Sequence, residues 1–163
     1  MTGEQMQHIV GLIVARLQAR CGQTATLSVD ALRTAPVAAL CCAHDRLAIA
    51  HADLCFLQQL ALGERGDPAV ANLAQALALG VAVDISLRSD LLGCLPVKKL
   101  ARLPLTLWDE QGKAVHLHAA SVLSYRDIAG LAAGWLVATR QTAITALARE
   151  AAHIHQIHIV KQE

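Results

Sequence analysis

Histidines are the residues of this chain whose types and spacing most directly suggest chemistry. The chain has eight, and two groups stand out: His116 with His118 and, near the carboxyl terminus, His153, His155 and His158. On a strand, residues two apart share a face, so His116 and His118 could chelate a metal ion. Neither group forms an established ligand motif with Cys or carboxylates, and on such a strand Val115 and Leu117 would point inwards. We therefore interpret the histidines as solvated residues and expect no metal site.

The cysteines form no recognisable redox or metal motif. Their number is odd, and none shows CxxC spacing; they are Cys21, Cys41, Cys42, Cys55 and Cys94. A disulfide framework or a zinc knuckle is therefore not expected. Free cysteine is among the most buried residue types, so we predict reduced, mostly buried thiols, including the adjacent Cys41 and Cys42. Cys94 is the one thiol that we would test as a transferase nucleophile, and we expect Cys94→Ser to be silent.

A further polar group lies between Ser121 and Asp127. Two hydroxyls, on Ser121 and Ser124, accompany Arg126 and Asp127, a set that could bind phosphate or position a nucleophile. No nucleophile elbow, Walker loop or GxGxxG pattern accompanies them. We interpret the serine before a helix as a cap, and Arg126 with Asp127 as a surface pair. No residue is assigned a catalytic role, and the sequence predicts a protein that is not an enzyme.

Composition narrows the class of protein further. The chain has 163 residues, of which 55% are hydrophobic and 17% charged, enough for the core of one domain. Only 2% are aromatic, and the net charge is +1 without a basic block, which argues against nucleic-acid binding. No apolar run reaches the ~20 residues of a membrane span. Glu4 stands where a secretory signal would be basic, so we expect a cytoplasmic protein without a membrane anchor.

An amphipathic helix is predicted over Glu4–Arg20, followed by a polar stretch in which Gly22 can act as a hinge. Its apolar residues recur at intervals of three and four. We assign partner binding to five of them: Met6, Ile9, Val10, Ile13 and Leu17. The same residues could instead pack on the chain's own body, and the sequence does not decide between these readings. In the first of these readings, residues 1–21 form a docking element.

Residues 22–163 are predicted to form a single α/β body with a mixed sheet. The expected strands are Val37–Cys42, Leu47–His51, Val81–Leu87, Leu105–Asp109, Lys113–His118, Gly134–Thr139 and Ile157–Val160. Five helices are expected. The first follows Asp53 and ends at Leu62, and the second covers 68–79. The third is a short basic turn between Pro96 and Pro104, and the last two cover Tyr125–Leu131 and Thr142–Ile154. Asp109–Gly112 is expected to close a hairpin.

Several segments carry a resemblance to a known family. The clearest are Leu95–Pro104 (LPVKKLARLP), Leu105–Asp109 (LTLWD) and Ser121–Asp127 (SVLSYRD). Weaker ones are Thr24–Val29 (TATLSV), Thr145–Arg149 (TALAR) and Ile159–Glu163 (IVKQE). With these segments the chain resembles the PduM family of bacterial propanediol-utilisation microcompartments, a resemblance that covers most of its length.

The resemblance implies a non-catalytic assembly protein without a cofactor. Its expected partners are shell proteins and the encapsulated core enzymes of a vitamin-B12-dependent, diol-degrading organelle, inside which it would be located. We hypothesise bridging, with the N-terminal helix contacting one component and Lys98, Lys99 and Arg102 of the body contacting an acidic patch on another. These basic residues could equally form a solvated face. Self-association stays open.

The alternative function is a small-molecule or cofactor module. An α/β body can bind a flavin, a nucleotide or a cobalamin-related ligand at the carboxyl ends of its strands. Phosphate-bearing ligands favour a glycine-rich loop between the first strand and helix, and 41–53 contains none. Fold analogy alone supports this alternative, so we rank it second.

Overall fold

The computed structural model describes residues 2–163, which form helix α1 (Gly3–Arg20) and an α/β body. The strands of the body are β1 Thr24–Ser28, β2 Arg46–Ala52, β3 Ala82–Leu87, β4 Leu105–Asp109, β5 Ala114–His118, β6 Val122–Leu123, β7 Gly134–Ala138, β8 Ala143–Ile144 and β9 Ile157–Lys161. Its helices are α2 Val29–Thr34, α3 Val37–Ala43, α4 Leu54–Leu62, α5 Pro68–Ala78, α6 Val97–Leu100, α7 Tyr125–Ile128 and α8 Ala146–Ile154. A 3₁₀ helix covers Ser89–Cys94.

One seven-stranded sheet organises the body, in the order β1-β2-β3-β4-β5-β7-β9. Strands β1 to β4 are parallel, β4 and β5 form an antiparallel hairpin, and β5, β7 and β9 are parallel to one another. The sheet therefore consists of two parallel halves of opposite direction. The expected α/β body with a mixed sheet is confirmed. A separate two-stranded sheet pairs β6 with β8.

The helices of the two halves of the sheet pack on opposite faces. Crossovers of one hand place their helices on one face, and the reversal of direction at the hairpin moves the later helices to the other face. Strand β7 shows the division directly, because Val137 belongs to the larger core with α2 to α6, whereas Leu136 and Ala138 belong to a smaller core with α7 and α8. The larger core therefore extends beneath β5 and β7, and the smaller core covers the opposite face of the second half.

Short polar caps position the helices. The Asp53 carboxylate accepts from the Phe56 amide at 2.7 Å, and α4 ends at Gly63 with a φ of 71°. Asp67 caps α5, whose first residue is Pro68, by accepting from the Ala69 amide at 2.8 Å. Both starts agree with the expectation from sequence, because Asp satisfies free helical N–H groups and Pro at the first position loses none.

Several expectations about secondary structure were wrong or incomplete. The run Val37–Cys42, expected as a strand, lies in helix α3, where the buried Val37 and Cys41 are one helical turn apart. Strand β1 and helix α2 were missed, since Ser28 both ends the strand and caps the helix through the Ala31 amide, with no turn between them. The last helix begins at Ala146, after its cap Thr145, and not at Thr142.

Candidate partner-binding surfaces

Helix α1 projects from the body without burying any of its residues. Its start is fixed locally, since the Thr2 amide donates to the Gln5 side chain at 3.0 Å, a capping-box contact. Residues 3–19 are all exposed. The helix contacts α3 at its carboxyl end, where the Arg20 guanidinium donates to the Cys41 carbonyl oxygen at 2.7 Å. Local capping and one end contact thus position an otherwise unpacked helix.

The apolar face of α1 has no covering element in the described part of the chain. We call this face the α1 stripe; each of its side chains is 45–53% exposed, and its residues are Met6, Ile9, Val10, Ile13, Val14 and Leu17. The five residues assigned to partner binding all belong to it. Leu12, 59% exposed, points away from this face, since helical geometry places it about 100° from its neighbour Ile13. The sequence left open whether these residues pack on the chain's own body, and in the structure they do not.

The connection between α1 and β1 is anchored. Gly22 adopts a φ of 77°, and its amide donates to the Asp45 carboxylate at 2.7 Å. The Gln23 carbonyl accepts from the amide of Asp45 at 3.1 Å. Glycine is suited to this left-handed conformation. The expected hinge is therefore tied to the turn that precedes β2, and a swing of α1 would break these hydrogen bonds.

The three basic residues proposed for partner binding share one short turn. Val97 and Leu100 of α6 are buried in the larger core, which directs the intervening Lys98 and Lys99 outwards. Arg102 follows and is also exposed. Within residues 2–163, none of the three cationic groups has a side-chain hydrogen bond or ion pair. The turn therefore offers three unneutralised cationic groups to solvent or to a partner.

His116 and His118 line a cleft and are only half exposed. As expected from strand alternation, they lie opposite Val115 and Leu117, which pack against the larger core. The Nε2 atoms lie 3.2 Å from the Ala132 carbonyl and 2.9 Å from the Val122 carbonyl, respectively. A carbonyl oxygen only accepts, so each Nε2 is the donor. The expectation of freely solvated rings was thus wrong for this pair.

The carboxyl-terminal histidines lie apart from this pair: His153 is in α8, His155 follows that helix, and His158 is on β9. His153 and His158 are exposed, and the His158 ring lies 5.1 Å from the Trp135 ring, centroid to centroid. Among residues 2–163 no three His, Cys, Asp or Glu side chains are grouped closely enough to hold a metal ion. The structure therefore does not bring the two histidine groups together.

The cleft beside His116 and His118 arises where β4 and β5 separate. The two strands are paired only at Leu107 with Val115 and Trp108 with Ala114, next to the turn. Beyond these pairs a cavity of about 380 Å³ opens, whose wall is polar and apolar in about equal parts; its polar lining residues are Thr106, His116, His118 and Asp127. No local pattern in the sequence predicted this opening. Such a cavity suits a small, partly apolar molecule.

Ser124 and Asp127 form a helix cap, as expected for Ser124. The Asp127 carboxylate accepts from both the amide and the hydroxyl of Ser124, each at 2.8 Å. These hydrogen bonds hold the pKa of Asp127 below its usual value. The expected pairing of Asp127 with Arg126 is not observed among the described ion pairs. The Ser124 hydroxyl is thereby engaged in the helix cap, and the lowered pKa of Asp127 makes this carboxylate a weak base for activating it.

The cysteines are free but not mostly buried. Cys41 is 2% exposed, whereas Cys21, Cys42, Cys55 and Cys94 are exposed. The expectation of buried thiols was wrong for these four, because Cys42, for example, follows Cys41 on a helix and points to the other side. Burial raises the pKa of the Cys41 thiol. None of the five thiols forms a disulfide.

Comparison with known proteins places the chain in a family. A family model described as "Putative propanediol utilisation" matches residues 8–158. The bacterial microcompartment assembly protein PduM of Salmonella typhimurium is 52% identical over 163 residues, and its namesake from Citrobacter freundii is 42% identical over the same length, with 100% of each chain covered. No solved structure is significantly similar. In residues 2–163, no helix has the length and apolar character needed to cross a membrane. The chain belongs to the PduM family, as the resemblance of Leu95–Asp127 had indicated.

Proposed function

We propose that this chain is an assembly protein of a bacterial microcompartment for propanediol utilisation and works by contacts, without catalysis. Its full-length relatives are named microcompartment assembly proteins, which supports this class of function. The observation that carries the contact mechanism is the uncovered α1 stripe. A soluble domain seldom leaves a whole helix without one buried side chain unless the helix has a partner.

The α1 stripe is the first proposed contact surface. An amphipathic helix can lay its apolar face into a groove of a partner, with anchors at intervals of three and four residues. Fully burying an aliphatic side chain stabilises by about 1.5–3 kcal/mol, and the stripe residues are about half exposed, so each would contribute roughly half of that amount. Summed over its six residues, the stripe would thus contribute about 4.5–9 kcal/mol towards docking.

The basic turn is the second proposed contact surface. Lys98, Lys99 and Arg102 are exposed and carry no described intramolecular partner, so an acidic patch on another protein could neutralise them. α1 adjoins the edge strand β1, whereas α6 lies between β3 and β4 in the chain, so the two surfaces occupy separate parts of the molecule. We therefore propose bridging: one surface contacts the shell, and the other contacts the encapsulated core enzymes, inside a microcompartment in the cytoplasm.

Association with intact microcompartments tests this function. The full-length protein and a truncated protein starting at Gly22 would each be expressed with the microcompartment components, and the amount retained in purified particles measured by mass spectrometry. We expect retention of the full-length protein and strong loss of the truncated protein, with equal melting temperatures. Absence of even the full-length protein from the particles would refute the assembly function.

The cleft supports a second candidate, the binding of a small molecule. Phosphate-bearing cofactors such as flavin nucleotides do not fit well, because the helix starts at the carboxyl ends of the strands are already capped by Ser28, Asp53, Ser124 with Asp127, and Thr145. A carboxylate at such a position also repels phosphate. An absorbance band of the purified protein at wavelengths beyond those at which protein itself absorbs would favour a bound cofactor.

A further inference from the structure

Strand β9 forms an open edge of the seven-stranded sheet, where it pairs with β7 alone within residues 2–163. The Gln156 carbonyl accepts from the Gly134 amide at 3.3 Å, and the Gln162 amide donates to the Ala138 carbonyl at 2.9 Å. In a parallel ladder, both backbone groups of every second residue point to the same neighbour. The even-numbered residues of β9 therefore bond β7. The outward N–H and C=O groups, which have no described partner, belong to Ile157, Ile159 and Lys161.

A groove runs along this edge. Its cavity of about 450 Å³ is lined by residues of β9 and α8 and by Trp135. Ile157 and Ile159 point to the face that carries α8, whereas His158 and Val160 point to the other face, as strand alternation requires. All four line the same groove, so the groove lies beside the edge of the strand, where the outward backbone groups are accessible.

The charge around the groove is positive. Arg149 lines it and has no ion pair in the described part of the chain, and His153 and His158 line it as well. No described carboxylate lines it, and Lys161 is exposed at the end of β9. The opposite edge strand, β1, carries no charged side chain. The edge at β9 therefore favours a segment that supplies negative charge.

We propose that the edge of β9 binds an extended, acidic segment of a protein partner, which adds to the sheet as a further strand. Strand addition gives affinity through main-chain hydrogen bonds and specificity through side chains at alternate positions. Every second side chain of the segment would face α8, where carboxylates would meet Arg149 and His153. The intervening aliphatic side chains would lie beside Val160 on the other face. This contact surface is additional to those of the proposed function and does not depend on it.

A second copy of this chain is the less suitable occupant. Pairing of two β9 edges would bring Arg149 and Lys161 of both copies to one interface. Like charges at an interface cost free energy, and β9 itself supplies no carboxylate. An acidic segment would neutralise the same groups.

Amide hydrogen exchange followed by NMR tests where the segment binds. In the free protein, the outward N–H groups of Ile159 and Lys161 should exchange faster than those of His158 and Val160, which bond β7. The probe is a synthetic peptide in which valine and glutamate alternate. Its addition should slow exchange at Ile159 and Lys161. Unchanged exchange at these two amides in excess peptide would overturn the proposal.

Fluorescence anisotropy with the labelled peptide tests the need for an open edge. Ile159→Pro removes an outward N–H but no bond to β7, and proline is tolerated on such an edge. Ile159→Ala is the matched control, because it shortens the same side chain and keeps the N–H. We expect Ile159→Pro to bind at least about tenfold more weakly than Ile159→Ala, with similar melting temperatures. Equal binding by both variants would contradict strand addition, and the exchange measurement on wild type decides if Ile159→Pro does not fold.

Charge reversal tests the acidic preference. Arg149→Glu should weaken binding of the valine–glutamate peptide about three- to tenfold. Arg126→Glu on α7 makes the same charge change outside the groove and should leave binding unchanged. Tighter binding of a valine–lysine peptide, or a dimer of the chain alone that Ile159→Pro abolishes, would assign the edge to another occupant and overturn the proposal. All these measurements use purified protein, so their failure would leave the microcompartment experiment, and the proposed function, unaffected.

Discussion

The indole Nε1 of Trp135 donates to the buried carboxylate of Asp109 at 2.8 Å and ties the two halves of the sheet together. Asp109 is 3% exposed and ends β4, while Trp135 lies on β7, beyond the intervening strand β5. The same carboxylate accepts from the amides of Gln111 at 2.8 Å and Lys113 at 2.7 Å, which fixes the hairpin turn. One side chain therefore fixes both the turn and the approach of β7.

Trp135→Phe should destabilise the body by about 1.5–3 kcal/mol, the usual contribution of a hydrogen bond to a charged group. Urea unfolding measures this change in the free energy of unfolding. Trp108→Phe is the matched control. Trp108 is half-buried like Trp135 and precedes Asp109 on β4, but its indole has no hydrogen-bond partner among the described residues. An equal loss in both variants would show that ring size, and not the Asp109 contact, sets the stability.

Acid should selectively weaken the stabilisation that Asp109 supplies. Burial acts to raise the pKa of Asp109, but the hydrogen bonds from Trp135, Lys113 and Gln111 outweigh it and hold the pKa below its usual value. A depressed carboxyl pKa contributes stability above the unfolded pKa of about 3.9, and this contribution is lost as pH falls through the folded value. The difference in unfolding free energy between wild type and Asp109→Asn should therefore shrink between about pH 5 and pH 2. A difference that does not vary with pH would contradict this assignment.

Gly134 should not tolerate a side chain. A Cβ at this position would overlap the backbone carbonyl oxygen of Ala114 on the neighbouring strand β5, with which Gly134 is in register. Because backbone cannot move aside like a flexible side chain, Gly134→Ala should cost about 1–3 kcal/mol or more. In Gly130→Ala the new methyl group meets no atom within 4 Å, so thermal melting should change little. Equal melting temperatures for the two variants would contradict the register of β5 and β7.

Thiol reactivity distinguishes Cys41 from the others. Cys41 is buried and its pKa is raised by burial, whereas four cysteines are exposed. A disulfide reagent should therefore modify four thiols rapidly in the folded protein and the fifth only upon unfolding. Peptide mapping should identify the protected residue as Cys41. Rapid modification of all five under native conditions would show that α3 is not packed as described.

Capping residues at the helix ends explain which parts of the fold were predictable. Asp53, Asp67 and Gly63 define helix ends through their own backbone preferences, so the sequence predicted those ends. No turn residue separates β1 from α2, since Ser28 both ends the strand and caps the helix. The apolar run of α3 fits either a strand or a helix, and burial by its neighbours decides between them.

The candidate surfaces were predictable to a different degree. The α1 stripe follows from periodicity alone, and the structure adds only that no element of the body covers it. The cleft beside His116 depends on where β4 and β5 separate, which is a tertiary property without a local signal. The role of Asp109 was likewise hidden, because its partner Trp135 is distant in the sequence and meets it only through the sheet.

The central claim, that the α1 stripe attaches this protein to a microcompartment, is tested most directly by comparing Ile9→Asp/Ile13→Asp with Leu12→Asp in purified particles. We expect the double variant to be largely absent from the particles and Leu12→Asp to be retained like wild type, with all three melting at the same temperature, because none of these side chains is buried in the body. Full retention of the double variant would contradict the claim and assign the attachment to the α/β body.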